Sequence, residues 1–281
     1  MKKNTKKIVT AAGIAAGTAA VASLSAYVTI KALIDTALDR EMPKVMEKAD
    51  KRISGEKSSD EFTNRMESAS ESLAVQPNET VEIIAHDGEK LVGHYFPCEK
   101  PERVIIAFHG WRSSWHRDFG MISDFWYKNN CSVLYVEQRG QNNSSGEYMG
   151  FGLTERFDCL DWLNWEIERC GSDIPVYLAG VSMGATTVLM AAGLQLPPNV
   201  HGIMADCGFT SANAIWEHIA KDNLHIRFGI RSAIADRMCR RKIQVGSKEH
   251  STVEALKHTH VPVILVHGAD DHFVPVEMTY E

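Results

Sequence analysis

The sequence predicts an α/β domain, a mostly parallel sheet with helices on both faces. Short apolar runs rich in β-branched residues alternate with longer stretches of helical periodicity. The later runs each end in a polar or glycine-bearing motif, at the strand ends where parallel sheets build their sites. The third observation is the stretch Leu178-Ala179-Gly180-Val181-Ser182-Met183-Gly184-Ala185. Ile174–Leu178 before it reads as a buried strand, and Ala185–Leu194 after it, rich in Ala, Leu and Met, reads as a helix. A serine in so sharp a strand-to-helix turn has a strained backbone and tolerates only small neighbours, which Gly180 and Gly184 supply. Such a turn lifts the Ser182 hydroxyl above the sheet and aims the Met183 N–H at the same point.

The chain has 281 residues, 44% of them hydrophobic and 23% charged, with a net charge of −6. That is a globular composition without the basic footprint of a nucleic-acid binder. Cys98, Cys131, Cys159, Cys170, Cys207 and Cys239 form no C-x-x-C pair, so they read as free buried thiols and not as a zinc site.

Lys2, Lys3, Lys6 and Lys7 precede a run, Ile8–Ile30, that carries no charge. About 20 apolar residues span a bilayer as a helix, and lysines before the span hold the N-terminus in the cytoplasm. The expectation is a single-pass anchor over 1–30 with the remainder outside the cytoplasm. A signal peptide is the competing reading, because Ala20-Val21-Ala22 resembles a signal-peptidase site. The extension through Val28 and Ile30 favours the anchor. Residues 31–75 read as a helical stalk and linker without catalytic content: Leu33, Ile34, Ala37 and Leu38 recur at helical spacing, then Gly55–Asp60 breaks the pattern.

The folded domain is expected over 76–281. Thr80–Ala85 and Lys90–Phe96 read as strands joined at Asp87-Gly88, a hairpin signal. Arg103–Phe108 is a buried strand ending in His109-Gly110-Trp111. Ser132–Val136 leads into the polar loop Glu137–Glu147. Leu153–Cys170 places Phe157, Leu160, Leu163 and Ile167 on one helical face. Val200–Ala205 ends in Asp206-Cys207-Gly208, and Val261–Val266 ends in His267-Gly268-Ala269-Asp270-Asp271.

From about Val81 onward the chain resembles the α/β-hydrolases, in the bacterial serine aminopeptidase-like or acyl-hydrolase-like branch. The matching motifs are His109-Gly110-Trp111, Arg139-Gly140, Gly180–Gly184, Asp206–Ser211 and His267–Pro275, in the family's order. The resemblance implies acyl transfer to water through an acyl-serine, with an ester, thioester or peptide-like amide as substrate and no metal or cofactor. It makes Ser182 the nucleophile and the backbone N–H groups of Met183 and Trp111 the oxyanion hole. It puts the acid at Asp271, with Asp206 as the alternative. Arg139 sits where the family has a loop arginine and reads as structural. Residues 209–248 fall where the family inserts a cap, so Trp216, His218, Phe228 and Met238 are candidate pocket residues.

The resemblance also exposes a gap. In this fold the triad runs Ser, acid, His along the chain. Ten residues follow Asp271, and His272 is the only histidine among them. His272 adjoins the acid too closely to bridge it to Ser182. The expectation is therefore a C-terminally incomplete hydrolase whose last strand and triad histidine are missing. A non-catalytic, membrane-tethered binding protein on the same scaffold is the alternative.

Overall fold

The computed structural model describes residues 24–42 and 61–281. Seven strands form one sheet: β1 (Glu79–Ile84), β2 (Lys90–Phe96), β3 (Arg103–Phe108), β4 (Cys131–Glu137), β5 (Val176–Val181), β6 (Val200–Asp206) and β7 (Val263–Val266). Their order across the sheet is β1-β2-β4-β3-β5-β6-β7. β1 pairs antiparallel with β2, and β2 with β4; every pair from there to β7 is parallel.

Alternation along each strand sorts side chains between the two faces. Ile106, Phe108, Leu134, Val136 and Leu178 pack with Trp162 and Val188 on one face. Ile105, Ala107, Val133 and Tyr135 pack with Trp115, Phe119 and Trp126 on the other. All seven residues of β4 are buried, as expected of a strand covered on both sides.

The register of the central strands prepares a site. Phe108 lies opposite Gly180, Val181 opposite Asp206, and Asp206 opposite Val266. The four loops that begin at His109, Ser182, Cys207 and His267 therefore leave the sheet side by side at its carboxyl end.

A third apolar cluster sits above that end, and it revises the reading of the N-terminal region. One helix, α1, runs over 24–38 and crosses the expected anchor–stalk boundary at residue 30. Its stripe Ile30, Leu33, Ile34, Ala37 and Leu38 is buried against Met149, Phe151, Ile215 and Trp216. The periodicity read as a stalk is a core-facing stripe. Residues 31–38 thus belong to the folded body, and Ile30, 0% exposed, is unavailable to lipid. Among the described residues no helix is long and apolar enough to cross a membrane. Residues 1–23 of the expected anchor, and residues 43–60 of the stalk, lie outside the described residues.

The rest of that region is docked as well. α2 (Glu61–Ala74) packs on α3 (Trp115–Lys128), a helix the apolar periodicity had not singled out. The contact is close: a Cβ on Gly120 would lie 2.7 Å from the Ala69 backbone. α4 (Glu155–Cys170) and α5 (Met183–Ala191) cover the other face. Between β6 and β7, α6 (Ala212–His218) and α7 (Ser232–Ile243) fall within 209–248, the stretch expected as a cap. Phe228 and Met238 are buried in its core. The six cysteines are free thiols. β7 lies at the sheet edge.

Candidate active site

Ser182 ends β5 and caps the N-terminus of α5 at φ 53°, ψ −114°, outside the conformations an ordinary residue prefers. The two glycines permit the turn. A Cβ on Gly180 would lie 2.3 Å from the Gly184 backbone, and one on Gly184 would lie 1.9 Å from the Phe108 carbonyl oxygen. The Ser182 N–H donates to Asp206 O at 2.8 Å, so the neighbouring strand end holds the turn. Met183 opens α5, where the first N–H groups have no partner within the helix.

The His109–Ser113 loop faces this turn: a Cβ on Gly110 would come within 3.4 Å of the Ser182 Cβ. Asp118 on α3 holds the loop in place. Its Oδ2 accepts the Gly110 N–H at 2.6 Å and its Oδ1 accepts the Ser113 hydroxyl at 2.6 Å. Asp118 escaped the sequence reading because its role, holding a loop 5 to 8 residues earlier, exists only once the helix is folded beside that loop. His109 is fully buried; its Nδ1 donates to Gly110 O at 2.8 Å and its Nε2 accepts the Gln138 N–H at 3.2 Å. Burial lowers its pKa and keeps the ring neutral.

Trp111 and Arg112 tie the same loop to α1. The Trp111 indole donates to Ala37 O at 2.9 Å. The Arg112 guanidinium donates to Arg40 O at 2.9 Å, to Thr36 O at 3.0 Å and to Asp39 O at 2.5 Å. Met149 N–H takes Leu38 O at 2.7 Å. The last carbonyls of a helix have no partner within it. Here the loop beside Ser182 supplies those partners, with a cation at the negative end of the helix dipole.

The acid candidates stand next to each other. Asp271 Oδ1 accepts the N–H groups of Phe273 at 2.8 Å and Val274 at 2.9 Å, which fixes the carboxylate. Its Oδ2 lies 3.7 Å from His267 Nε2. Asp206 is raised above the ordinary aspartate range: desolvation leads, nearby His267 opposes it, and the Asp271 charge adds to it. Its backbone carbonyl, not its carboxylate, contacts the Ser182 turn.

The chain has twelve histidines. All twelve lie within the described residues, and among these none hydrogen-bonds Ser182 Oγ. Both nitrogens of His267 are engaged, with Val274 O at 2.8 Å and Thr279 Oγ1 at 2.6 Å. His218 pairs with Asp222 at 3.0 Å. His272 is exposed, and its carbonyl faces His218 Nε2 at 3.3 Å. The nearby Cys207 offers no rival nucleophile, since burial pushes its thiol up to about 12.

Arg139 is structural. It is buried, donates to Asp158 through Nε at 2.7 Å and again through Nη2, and reaches Asp87 at 2.7 Å. Asp158 also belongs to a trio with His86 and Asp161 whose ligand atoms lie within 4.8 Å of one another. The guanidinium already neutralises it there, so the trio offers a metal little charge.

Over Ser182 lies an apolar cavity of about 200 Å³. α1 contributes Leu33, Thr36 and Ala37; the loops contribute Trp111, Phe151 and Phe273; the cap contributes Ile215, Trp216, Ile219 and Leu224. Among the described residues no charged side chain lines it. Of the cap residues expected in a pocket, Trp216 lines this one and His218 lines an adjacent cavity. The α1 contribution was missed because periodicity gives a helix its apolar face without saying what covers that face.

No family model matches the chain. The uncharacterised protein YqkD of Bacillus subtilis (strain 168) is 23% identical over 191 residues, 66% of this chain. The match spans 60% of that relative's length. Among solved structures, the Pyrococcus furiosus esterase Pf2001 aligns with a TM-score of 0.58 at 20% identity, over 75% of this chain and 76% of that one. Est1E of Butyrivibrio proteoclasticus, solved with ferulic acid, gives 0.55 at 19% identity over 71% and 83%. An acylaminoacyl peptidase bound to a peptidyl chloromethyl ketone gives 0.53 at 16% identity over 72% and 33%.

Proposed function

We propose that this chain, whose fold is that of the α/β-hydrolases, is a serine hydrolase that cleaves esters of apolar acids. One observation carries the reading: a strained serine at the strand-to-helix turn opens into an uncharged, apolar cavity. In this reading Ser182 Oγ adds to the ester carbonyl, and the N–H groups of Met183 and Trp111 stabilise the oxyanion. The alkoxide departs with a proton, and water then releases the acid from the acyl-serine. Asp271 is the acid that would orient a base, and Asp206 the alternative.

An ester fits the cavity better than a peptide does. A peptide terminus carries a charge, and burying one without a counter-charge is costly. None of the lining residues supplies such a counter-charge. The hydrolase neighbours include both esterases and a peptidase and are neutral on this point.

The base is the open part of this reading. Among the described residues no histidine bonds Ser182 as acceptor of its proton, and slow hydrolysis by the chain alone is expected. Small imidazole can stand in for that acceptor. The test is a panel of p-nitrophenyl esters and aminoacyl-anilides, with and without imidazole. Imidazole-dependent ester cleavage that vanishes in Ser182→Ala is expected. Turnover that persists in the alanine variant removes Ser182 from the reaction. No turnover of any substrate favours a binding protein on a hydrolase scaffold.

Export completes the reading. Lys2, Lys3, Lys6 and Lys7 favour a cytoplasmic N-terminus, with the domain on the far side. Ile30–Leu38 is packed into the fold while Leu24, Tyr27 and Val28 are exposed, so the uncharged stretch left to a membrane is 8–29. That matches the ~20 residues of a span and suits an anchor, with a signal peptide cleaved after Ala22 as the alternative. The protein made in a bacterium is expected in the membrane fraction with its N-terminus intact. A mature N-terminus at Ser23 would replace the anchor with the signal peptide.

A further inference from the structure

The wall of the cavity built by α1 has no counterpart in the chemistry described so far. Leu33, Thr36 and Ala37 lie on one helical face, at i, i+3 and i+4, and turn toward Ser182 across from Ile215 and Trp216 of the cap. Their own helix is held rigidly. Its terminal carbonyls are taken by Trp111, Arg112 and Met149, and Lys242 of α7 reaches Asp35 at 3.1 Å and also pairs with Asp39. A wall fixed from both sides is a gauge: the size of its side chains sets how much apolar chain fits beneath it.

We infer that α1 is the acyl-length gauge of the site, and that the substrate acyl group is a straight aliphatic chain lying between α1 and α6. This rests on the hydrolase reading for the carbonyl end of the substrate, not for the chain end. The shape argues for a flexible chain. The cavity runs from Ser182 between two helices and is lined mostly by aliphatic and aromatic side chains, with Thr36 and Asn223 the polar ones besides Ser182. Thr36 is the wall's only hydroxyl, and its Oγ1 already donates to Ala32 O at 2.7 Å. This wall therefore has no free side-chain donor for a polar acyl substituent. Ala37 is the smallest lining residue, so it leaves the most room to lose.

The test titrates the 281-residue protein with straight-chain fatty acids of increasing length, whose carboxylate would sit at the N–H groups beside Ser182 and outside the apolar cavity, read by calorimetry and by intrinsic tryptophan emission. In the wild type, affinity is expected to rise about fourfold per added methylene until the cavity is full, the fold-change of burying one CH₂. Ala37→Trp should stop that rise several carbons earlier and weaken the longest acids at least tenfold, with the shortest unchanged. Leu33→Ala should move the limit the other way. Val28→Ala, at a position exposed on the same helix, should match the wild type. Thermal unfolding of each variant excludes loss of fold. Identical length profiles in Ala37→Trp, Leu33→Ala and wild type would overturn the inference. Ser182→Ala separates it from the hydrolase reading. Fatty acids that bind in that variant with the wild-type profile support the gauge even where esterolysis fails. Ser182-dependent esterolysis without any length-dependent binding sinks the gauge and leaves the hydrolase.

Discussion

The indole of Trp111 donates to the Ala37 carbonyl at 2.9 Å, so the loop that faces Ser182 also caps the N-terminal helix. Trp111→Phe keeps the aromatic wall and removes the donor. The Ala37 carbonyl lies in the last turn of α1 and is left without that partner. A lost hydrogen bond of this kind costs about 1 kcal/mol. Urea denaturation of the variant is expected to show that loss; an unchanged midpoint and slope would mean that the bond contributes nothing to holding α1.

Gly184 is the least replaceable residue of the turn. An added methyl would sit 1.9 Å from the Phe108 carbonyl oxygen and 2.7 Å from that of His109, both backbone atoms of the adjacent strand end. Neither can swing aside as a side chain would. Gly184→Ala is expected to destabilise by about 3 kcal/mol, the upper end of the usual cost of overpacking a core. A Tm within a degree or two of the wild type would show that α5 can shift without cost.

The buried pair Arg139–Asp158 should behave asymmetrically. Asp158 is 2% exposed and holds two nitrogens of the guanidinium. Asp158→Asn leaves that cation buried with Asp87 as its remaining carboxylate partner. Removing one member of a buried pair costs about 3–5 kcal/mol. The double variant Arg139→Met/Asp158→Leu should recover most of it. Equal loss in single and double variants would show that packing, not charge, dominates at this position.

What could be read from the sequence divides along a physical line. The buried strands were legible because β3, β4 and β5 are apolar runs with nothing else to become. The Ser182 turn was legible because its two glycines have a steric reason. α3 was not, since Gly120 and the polar residues between Trp115, Phe119 and Trp126 dilute its pattern. That glycine is there for α2, which crosses it at 2.7 Å. The stripe of α1 was visible, but its partners Ile215 and Trp216 lie about 180 residues later. Local periodicity holds no record of so distant a contact. The same blindness hid Asp118, whose role exists only once α3 is folded beside the Gly110 loop.

The exposed edge makes the last prediction. Among the described residues β7 pairs with β6 on one side only, and Ile264, Leu265 and Val266 are 61, 42 and 54% exposed. Val263–Val266 carries no charge and no proline, the devices that keep a free edge from pairing with another chain. Ile264 and Val266 project to the same face, two residues apart. A lysine at each should therefore block edge-to-edge pairing while touching no buried contact. Ile264→Lys/Val266→Lys is expected to lower concentration-dependent light scattering and to leave unfolding within ~0.5 kcal/mol of wild type, as for other exposed substitutions. Scattering that stays at the wild-type level would place the association elsewhere. A large loss of stability would mean that these side chains are covered in solution by something this edge recruits, most simply the β7 of a second copy.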